Sequence, residues 1–201
     1  MENPVKITAL AITLNEAHNI EGYLKSLWFA DEIVIVDSFS SDDTAALASK
    51  HEKVTVYQRT FDNFSAQKNF AISKAKNEWV TFFDLDEEVT PELANEIVEK
   101  FKNPKAVAYF VKRDFYFMGK RIKYSGLQND YIIRFFNKNH CQYNANLVHE
   151  TLEADGKTEN LKKGRNQIIT IFCFALFIDF GTSLFLDWGF WTEKKVSFSP
   201  T

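Results

Sequence analysis

Cysteine is scarce in this 201-residue chain: Cys141 and Cys173 are the only two, with no CxxC pair and no metal-type spacing. That argues against a disulfide framework and fits a reducing cytoplasm. Only seven glycines stand against twenty phenylalanines, so no low-complexity linker is expected and packing should be aromatic-rich. The opening MENPVKITALAITL lacks the basic n-region of a secretion signal and passes directly into a strand-like pattern. No GxGxxG follows the first apolar run and no GxxxxGK[ST] occurs anywhere, which removes the dinucleotide fingerprint and the P-loop. What remains, 45% hydrophobic and 25% charged, is the composition of one globular domain with at most a short appendage.

Charge is scarce in sum and uneven in place. The net is −3, yet residues 1–99 hold 18 acids against 8 bases, and residues 100–140 hold 10 bases against Asp114 and Asp130. The basic run reads either as a solvated face or as an attraction to anionic lipid or a phosphorylated acceptor. A slightly acidic whole argues against nucleic acid.

Apolar runs alternate with helix-period stretches. Strands are expected at Val5–Leu14, Glu32–Val36, Val54–Gln58 and Trp79–Phe83, with helices at His18–Trp28, Asp42–His51, Phe64–Ala75 and from Pro91 to Phe101. Four strand-helix units in a row predict an α/β fold with a doubly wound, mostly parallel sheet. Ala106–Arg113 and Tyr131–Phe136 read as further strands in a smaller mixed-sheet region on the acceptor side.

The chemistry gathers at FFDLDEEV, Phe82–Val89, where an apolar strand runs into Asp84 and Asp86. Hard oxygen ligands at the carboxyl end of a buried strand suit a divalent cation and a phosphorylated ligand. Asp37, and Glu16 after the first strand, fall on the same sheet edge. Acids converging there need a cation or donors to offset them, so a metal-bound diphosphate is the simplest resident.

Six segments in order carry a resemblance: TLNEAHNI (Thr13–Ile20), VDSFSSDDT (Val36–Thr44), FSAQKNFAI (Phe64–Ile72), FFDLDEEVTPEL (Phe82–Leu93), NDYIIRFF (Asn129–Phe136) and LVHETL (Leu147–Leu152). Together they resemble the family 2 inverting glycosyltransferases of the GT-A fold, nearest the bacterial lipopolysaccharide-core glucosyltransferase type, over residues 5–160. The resemblance implies that Thr13, Asn15 and Glu16 line a nucleotide pocket, that Asp37 meets the base, and that Ser38 belongs to the same loop. It places Gln67, Lys68 and Asn69 on the donor side, with Arg59 a looser candidate, Asp84 on the ribose or sugar, and Asp86 on Mg²⁺ or Mn²⁺. Asp130 stands where the catalytic base is expected, and Arg134, His149 and Glu150 form a downstream set. The implied donor is a nucleotide sugar, UDP-glucose or another UDP-hexose. The acceptor is a saccharide or lipid-linked molecule in envelope or lipopolysaccharide synthesis, reached in the cytoplasm or at the cytoplasmic face of the inner membrane.

Plainer roles stand beside these. Asp37 and Ser38 also suit a strand end that caps the next helix, Asp130 a turn, and His149 a packed side chain; Glu87 and Glu88 read as solvated acids at a helix start. Two other functions stand as alternatives. One is a nucleotidylyltransferase, against which TLNEAHNI lacks a glycine-rich basic loop. The other is a degenerate, membrane-associated protein that binds nucleotide sugar without turnover. Beyond Lys163 the likeness fails: family members continue with an HYSY-like strand and a basic helical region. The expected division is therefore 1–163 for the transferase domain and 164–201 for an atypical hydrophobic tail. Within it Ile168–Leu186 is nineteen residues with one charge, Asp179. A shifted frame or truncation predicts that ending the chain near 163 rescues solubility; a membrane-docking or buried segment is the other reading.

Overall fold

The alternation of apolar runs and helical stretches resolves into one large sheet covered on both faces. A computed structural model of the chain describes residues 6–117, 120–121, 131–144, 150–161 and 167–172, with side chains described for 6–113, 131–144 and 150–161. Strands β1 (Ile7–Thr13), β2 (Glu32–Asp37), β3 (Val54–Gln58) and β4 (Trp79–Phe82) are linked by helices α1 (Ile20–Ser26), α2 (Thr44–Ala48) and α3 (Phe64–Lys74). The four strands lie parallel in the order β3-β2-β1-β4. This is the doubly wound half expected from the sequence.

Its strands read as continuous apolar runs because both faces are buried. Ile7, Ala9 and Ala11 pack with Tyr23 of α1, with Leu27 just past its end, and with Leu93 and Ile97 of helix α4 (Pro91–Lys102). The alternate set, Leu10, Val34, Val36, Val80 and Phe82, packs with Ala71 and Ile72 of α3. Register aligns Leu10 with Val34 on one side and Phe82 on the other, a continuous apolar row across three strands. Helix α4 starts where Pro91 costs no hydrogen bond, and the Thr90 hydroxyl accepts the Leu93 N–H at 3.3 Å.

Past residue 105 the pairing becomes mixed. Strand β5 (Glu87–Val89) precedes α4; β6 (Ala108–Phe117), β7 (Lys120–Arg121), β8 (Tyr131–Asn137), β9 (Cys141–Tyr143), β10 (Leu152–Ala154), β11 (Thr158–Asn160) and β12 (Gln167–Phe172) follow it. β8 runs antiparallel to both β4 and β6, and the sheet continues through β12 to β5. β9 and β10 form a small separate antiparallel pair.

Two differences from the sequence reading follow. Glu87 and Glu88 belong to a short strand and not to a helix start: Glu87 and Val89 are buried while Glu88 is exposed, a period of two that three residues are too few to reveal in sequence. The chain past residue 163 contributes β12, seated between β6 and β5, so a cut there would divide the sheet. Residues 173–201 lie outside the described residues, and among those described no helix is long and apolar enough to cross a membrane.

Candidate active site

The carboxyl edge of the parallel quartet is built from two interlocked loops. After β1, Asn15 takes a left-handed conformation with φ of 56°, which asparagine tolerates better than most residues. Its side-chain oxygen accepts the Ser41 N–H at 2.8 Å, and its own N–H donates to the Ser40 hydroxyl at 2.8 Å. The Glu16 N–H donates to the Thr44 hydroxyl at 2.8 Å and the Ala17 N–H to Asp42 at 3.1 Å. The β1 and β2 loops thus hold one another, and the Ser38 N–H closes onto the Thr13 carbonyl at 2.9 Å.

Asp37 ends β2 fully buried; its carboxylate accepts the Ser40 N–H and hydroxyl and, at 3.3 Å, a Gln58 amide N–H. Those bonds make Asp37 a strand-end fastener that caps its own loop, while it stays adjacent to Thr13 in register. The Thr13 hydroxyl is buried with no hydrogen-bond partner among the described residues. Phe39, between Ser38 and Ser40, also has positive φ, 63°, and is 56% exposed.

The DLDEE turn is crowded with charge. Arg134, projecting from β8, places Nη2 2.6 Å from Asp84 Oδ2 and 2.7 Å from Glu87 Oε1. Burial opposes ionisation of Asp84, but Arg134 and Lys68 outweigh it and hold its carboxyl below the usual range. Asp86 is the opposite case: burial, then Asp84, Glu87 and Glu16, push its pKa well above the ordinary value. Glu16 is itself raised, chiefly by burial, with an Asn19 hydrogen bond working against the rise. The expectation that Glu87 is a solvated acid is corrected: it is 1% exposed and faces Arg134 and, at 3.8 Å, Arg113. A charged residue inside the apolar run Tyr131–Phe136 was the available signal for Arg134, since an arginine at a strand position with apolar neighbours must find a buried partner.

The QKN segment divides its tasks. Gln67 is buried, donates to the Ser38 hydroxyl at 3.0 Å and accepts from Arg59, joining α3 to the β2 loop. Lys68 donates to Glu150 at 2.8 Å and lies 5.1 Å from the centre of the Tyr143 ring. Burial lowers its pKa, and Tyr143, Asp84 and Glu150 more than offset that, so the ammonium is held charged. Asn69 fastens β9: its amide accepts from the Tyr143 N–H and donates to the Tyr143 carbonyl, both at 2.9 Å. Asp130 and His149 lie outside the described residues.

Among the described residues no three carboxylate, histidine or cysteine groups gather closely enough to cage a cation alone. The donor set does fit a Mg²⁺-like ion, which keeps waters and ligand phosphates and needs only one or two carboxylates. Asp86 is the group such an ion would relieve, because a cation reverses the repulsion from its three acidic neighbours. The basic run is not one free patch: Lys100 meets Glu159 at 3.2 Å, Arg113 and Arg134 face Glu87, and Lys138 donates to the Ala75 carbonyl.

Residues 8–179 match the model of glycosyl transferase family 2. An uncharacterized glycosyltransferase of Rickettsia bellii is 39% identical over 112 residues, 53% of this chain and 37% of that protein. The lipopolysaccharide core biosynthesis glycosyltransferase LpsC of Rhizobium meliloti is 26% identical over 164 residues, 79% of this chain and 61% of that protein. The chain thus spans less than two thirds of the length of these curated relatives. Among solved structures, S. aureus TarS 1-349 in complex with UDP-GlcNAc superposes with a TM-score of 0.51 at 23% identity, over 60% of this chain and 37% of that one. The strand order, the acid-lined carboxyl edge and the family match agree: the chain belongs to glycosyl transferase family 2 and is built on the GT-A fold.

Proposed function

We propose that this chain is a glycosyltransferase of cell-envelope or lipopolysaccharide synthesis, moving a hexose from a nucleoside-diphosphate donor, with inversion, to a saccharide or lipid-linked acceptor. The observation that carries this is Asp86, a carboxyl crowded by Asp84, Glu87 and Glu16 at the carboxyl edge of the parallel strands. Asp86 would hold a divalent cation, which would supply charge compensation for that repulsion and for the leaving diphosphate. Thr13, Asn15 and Glu16 line the adjacent loop on this reading, with Ser38 and Gln67 closing its floor and Asp84 beside the sugar. The acceptor hydroxyl attacks the anomeric carbon, the bond to the diphosphate oxygen breaks, and the hydroxyl proton passes to a carboxylate, assigned by motif to Asp130.

The relatives' names support an envelope pathway and the neighbour's UDP-GlcNAc a uridine donor; UDP-glucose and UDP-GlcNAc both enter the test. The reading also puts the chain in the cytoplasm, with the acceptor delivered at the membrane's cytoplasmic face. Calorimetry with UDP, UDP-glucose and UDP-GlcNAc, with and without Mn²⁺, on wild type and Asp86→Ala is the test. Metal-dependent binding is expected to weaken at least about tenfold in the variant. Equal binding by both proteins would move the donor site away from Asp86. Binding without transfer to any saccharide or lipid-linked acceptor would favour a binding protein without turnover.

A further inference from the structure

Glu87 was given no role of its own above beyond crowding Asp86, yet it is 1% exposed where the DLDEE turn passes into β5. Its Oε2 accepts the Asp84 N–H at 3.1 Å, and its own N–H donates to the Asp84 carbonyl at 2.9 Å. Its Oε1 shares one nitrogen, Arg134 Nη2, with the Asp84 carboxylate, at 2.7 Å and 2.6 Å respectively. These bonds close a ring through Asp84, Glu87 and Arg134 that fixes both the turn's backbone and one Asp84 oxygen.

Arg134 is 1% exposed, and its Nε and Nη1 have no hydrogen-bond partner among the described residues. A guanidinium left with two unsatisfied groups is a costly way to fill a strand position. The position is also not free to drift. β8 pairs antiparallel with β4 through Phe135 opposite Thr81, so Arg134 is carried to the end of β4, where the turn begins.

We propose that Arg134 and Glu87 are positioning residues: their ring holds the Asp84–Asp86 turn in the geometry from which Asp86 meets a divalent cation bound with a nucleoside diphosphate. This rests on the donor-site reading of the same carboxylates. Arg134 acts through Asp84 and touches no substrate.

The test uses the full chain, with Mn²⁺ and UDP as probes, on wild type, Arg134→Gln, Arg134→Lys and Glu87→Gln. Amide hydrogen exchange at Asp84 and Glu87 is expected to quicken about tenfold or more in Arg134→Gln and Glu87→Gln, with β1 and β2 unchanged. In calorimetry, the Mn²⁺ concentration for half-maximal UDP binding should rise about tenfold, while UDP affinity at saturating Mn²⁺ stays within about threefold. Arg134→Lys, which keeps the charge but shortens the reach, should fall between, and it carries the test if Arg134→Gln does not fold. Unchanged exchange overturns the ring. A parallel loss of Mn²⁺ affinity and of UDP affinity at saturating Mn²⁺ overturns the positioning role, because that is what general loosening of the fold produces. Wild-type protein that binds no UDP with Mn²⁺ sinks the donor-site reading, whereas normal UDP binding with an unaltered Mn²⁺ requirement in the variants sinks the positioning role alone.

Discussion

Asp86 is held where burial and three neighbouring carboxylates all oppose its ionisation. A carboxyl whose folded pKa exceeds its unfolded value costs stability as pH climbs past the unfolded value, and costs nothing where both states are protonated. Asp86→Asn is therefore expected to raise Tm at about pH 8 and to leave it unchanged at about pH 3, below the ordinary aspartate pKa. Thermal melts at both values check this; an equal gain at each would assign the effect to packing. Mn²⁺ with UDP should raise the wild-type Tm and not the variant's. The two left-handed residues make a second pair of expectations. Phe39→Gly relieves a strained φ under an exposed ring and should be neutral or stabilising by about 0.5 kcal/mol. Asn15→Gly keeps the conformation but strips the Ser41 N–H of its acceptor, and should cost about 1 kcal/mol by urea denaturation. The opposite order would mean that the Phe39 ring stabilises the loop. The acids of this edge were legible residue by residue in the sequence. The state of each was not, because it depends on which cation lies beside it.

Helix α3 joins three parts of the molecule with three consecutive residues, Gln67 to the β2 loop, Lys68 to Glu150 and Asn69 to β9. The helix was legible almost to the residue, and Asn63 caps it by accepting the Ala66 N–H at 2.8 Å. Its division of labour was not legible, since the Lys68 and Asn69 partners lie 82 and 74 residues away. Asn69→Ala is expected to destabilise by about 2 kcal/mol, the loss of two hydrogen bonds to a strand edge. Lys68→Met should cost about 2 kcal/mol, tempered by the partial exposure of both partners. In a double-mutant cycle, Lys68→Met with Glu150→Gln should fall short of additivity by about 1 kcal/mol. Strict additivity in denaturation would show that the pair contributes no coupling and that only the aromatic packing around Lys68 matters.

At the scale of the molecule, β12 gives residues 167–172 a place in the sheet. It lies between β6 and β5, so ending the chain at 163 would bare the facing edges of both strands. The trimmed protein is expected to melt lower and to associate, the reverse of the solubility rescue that a foreign tail predicts; melting and size-exclusion measurements separate the two. An unchanged Tm would mean that β12 adds nothing to the sheet. The parallel half needed no such long-range information. Its apolar runs and intervening helix periods are local properties, and a βαβ connection has effectively one handedness, so the parallel units could be read without long-range contacts, although their order β3-β2-β1-β4 could not. The sequence by itself therefore determined the doubly wound half, the acidic carboxyl edge and the family. Only the tertiary structure decided that Glu87 is buried, that Asn69 fastens β9 and that Arg134 closes a ring with Asp84. The Arg134 ring depends on antiparallel register between segments fifty residues apart, where a shift of one residue turns every side chain to the other face, and the Asn69 contact on packing of a helix against a strand 74 residues on.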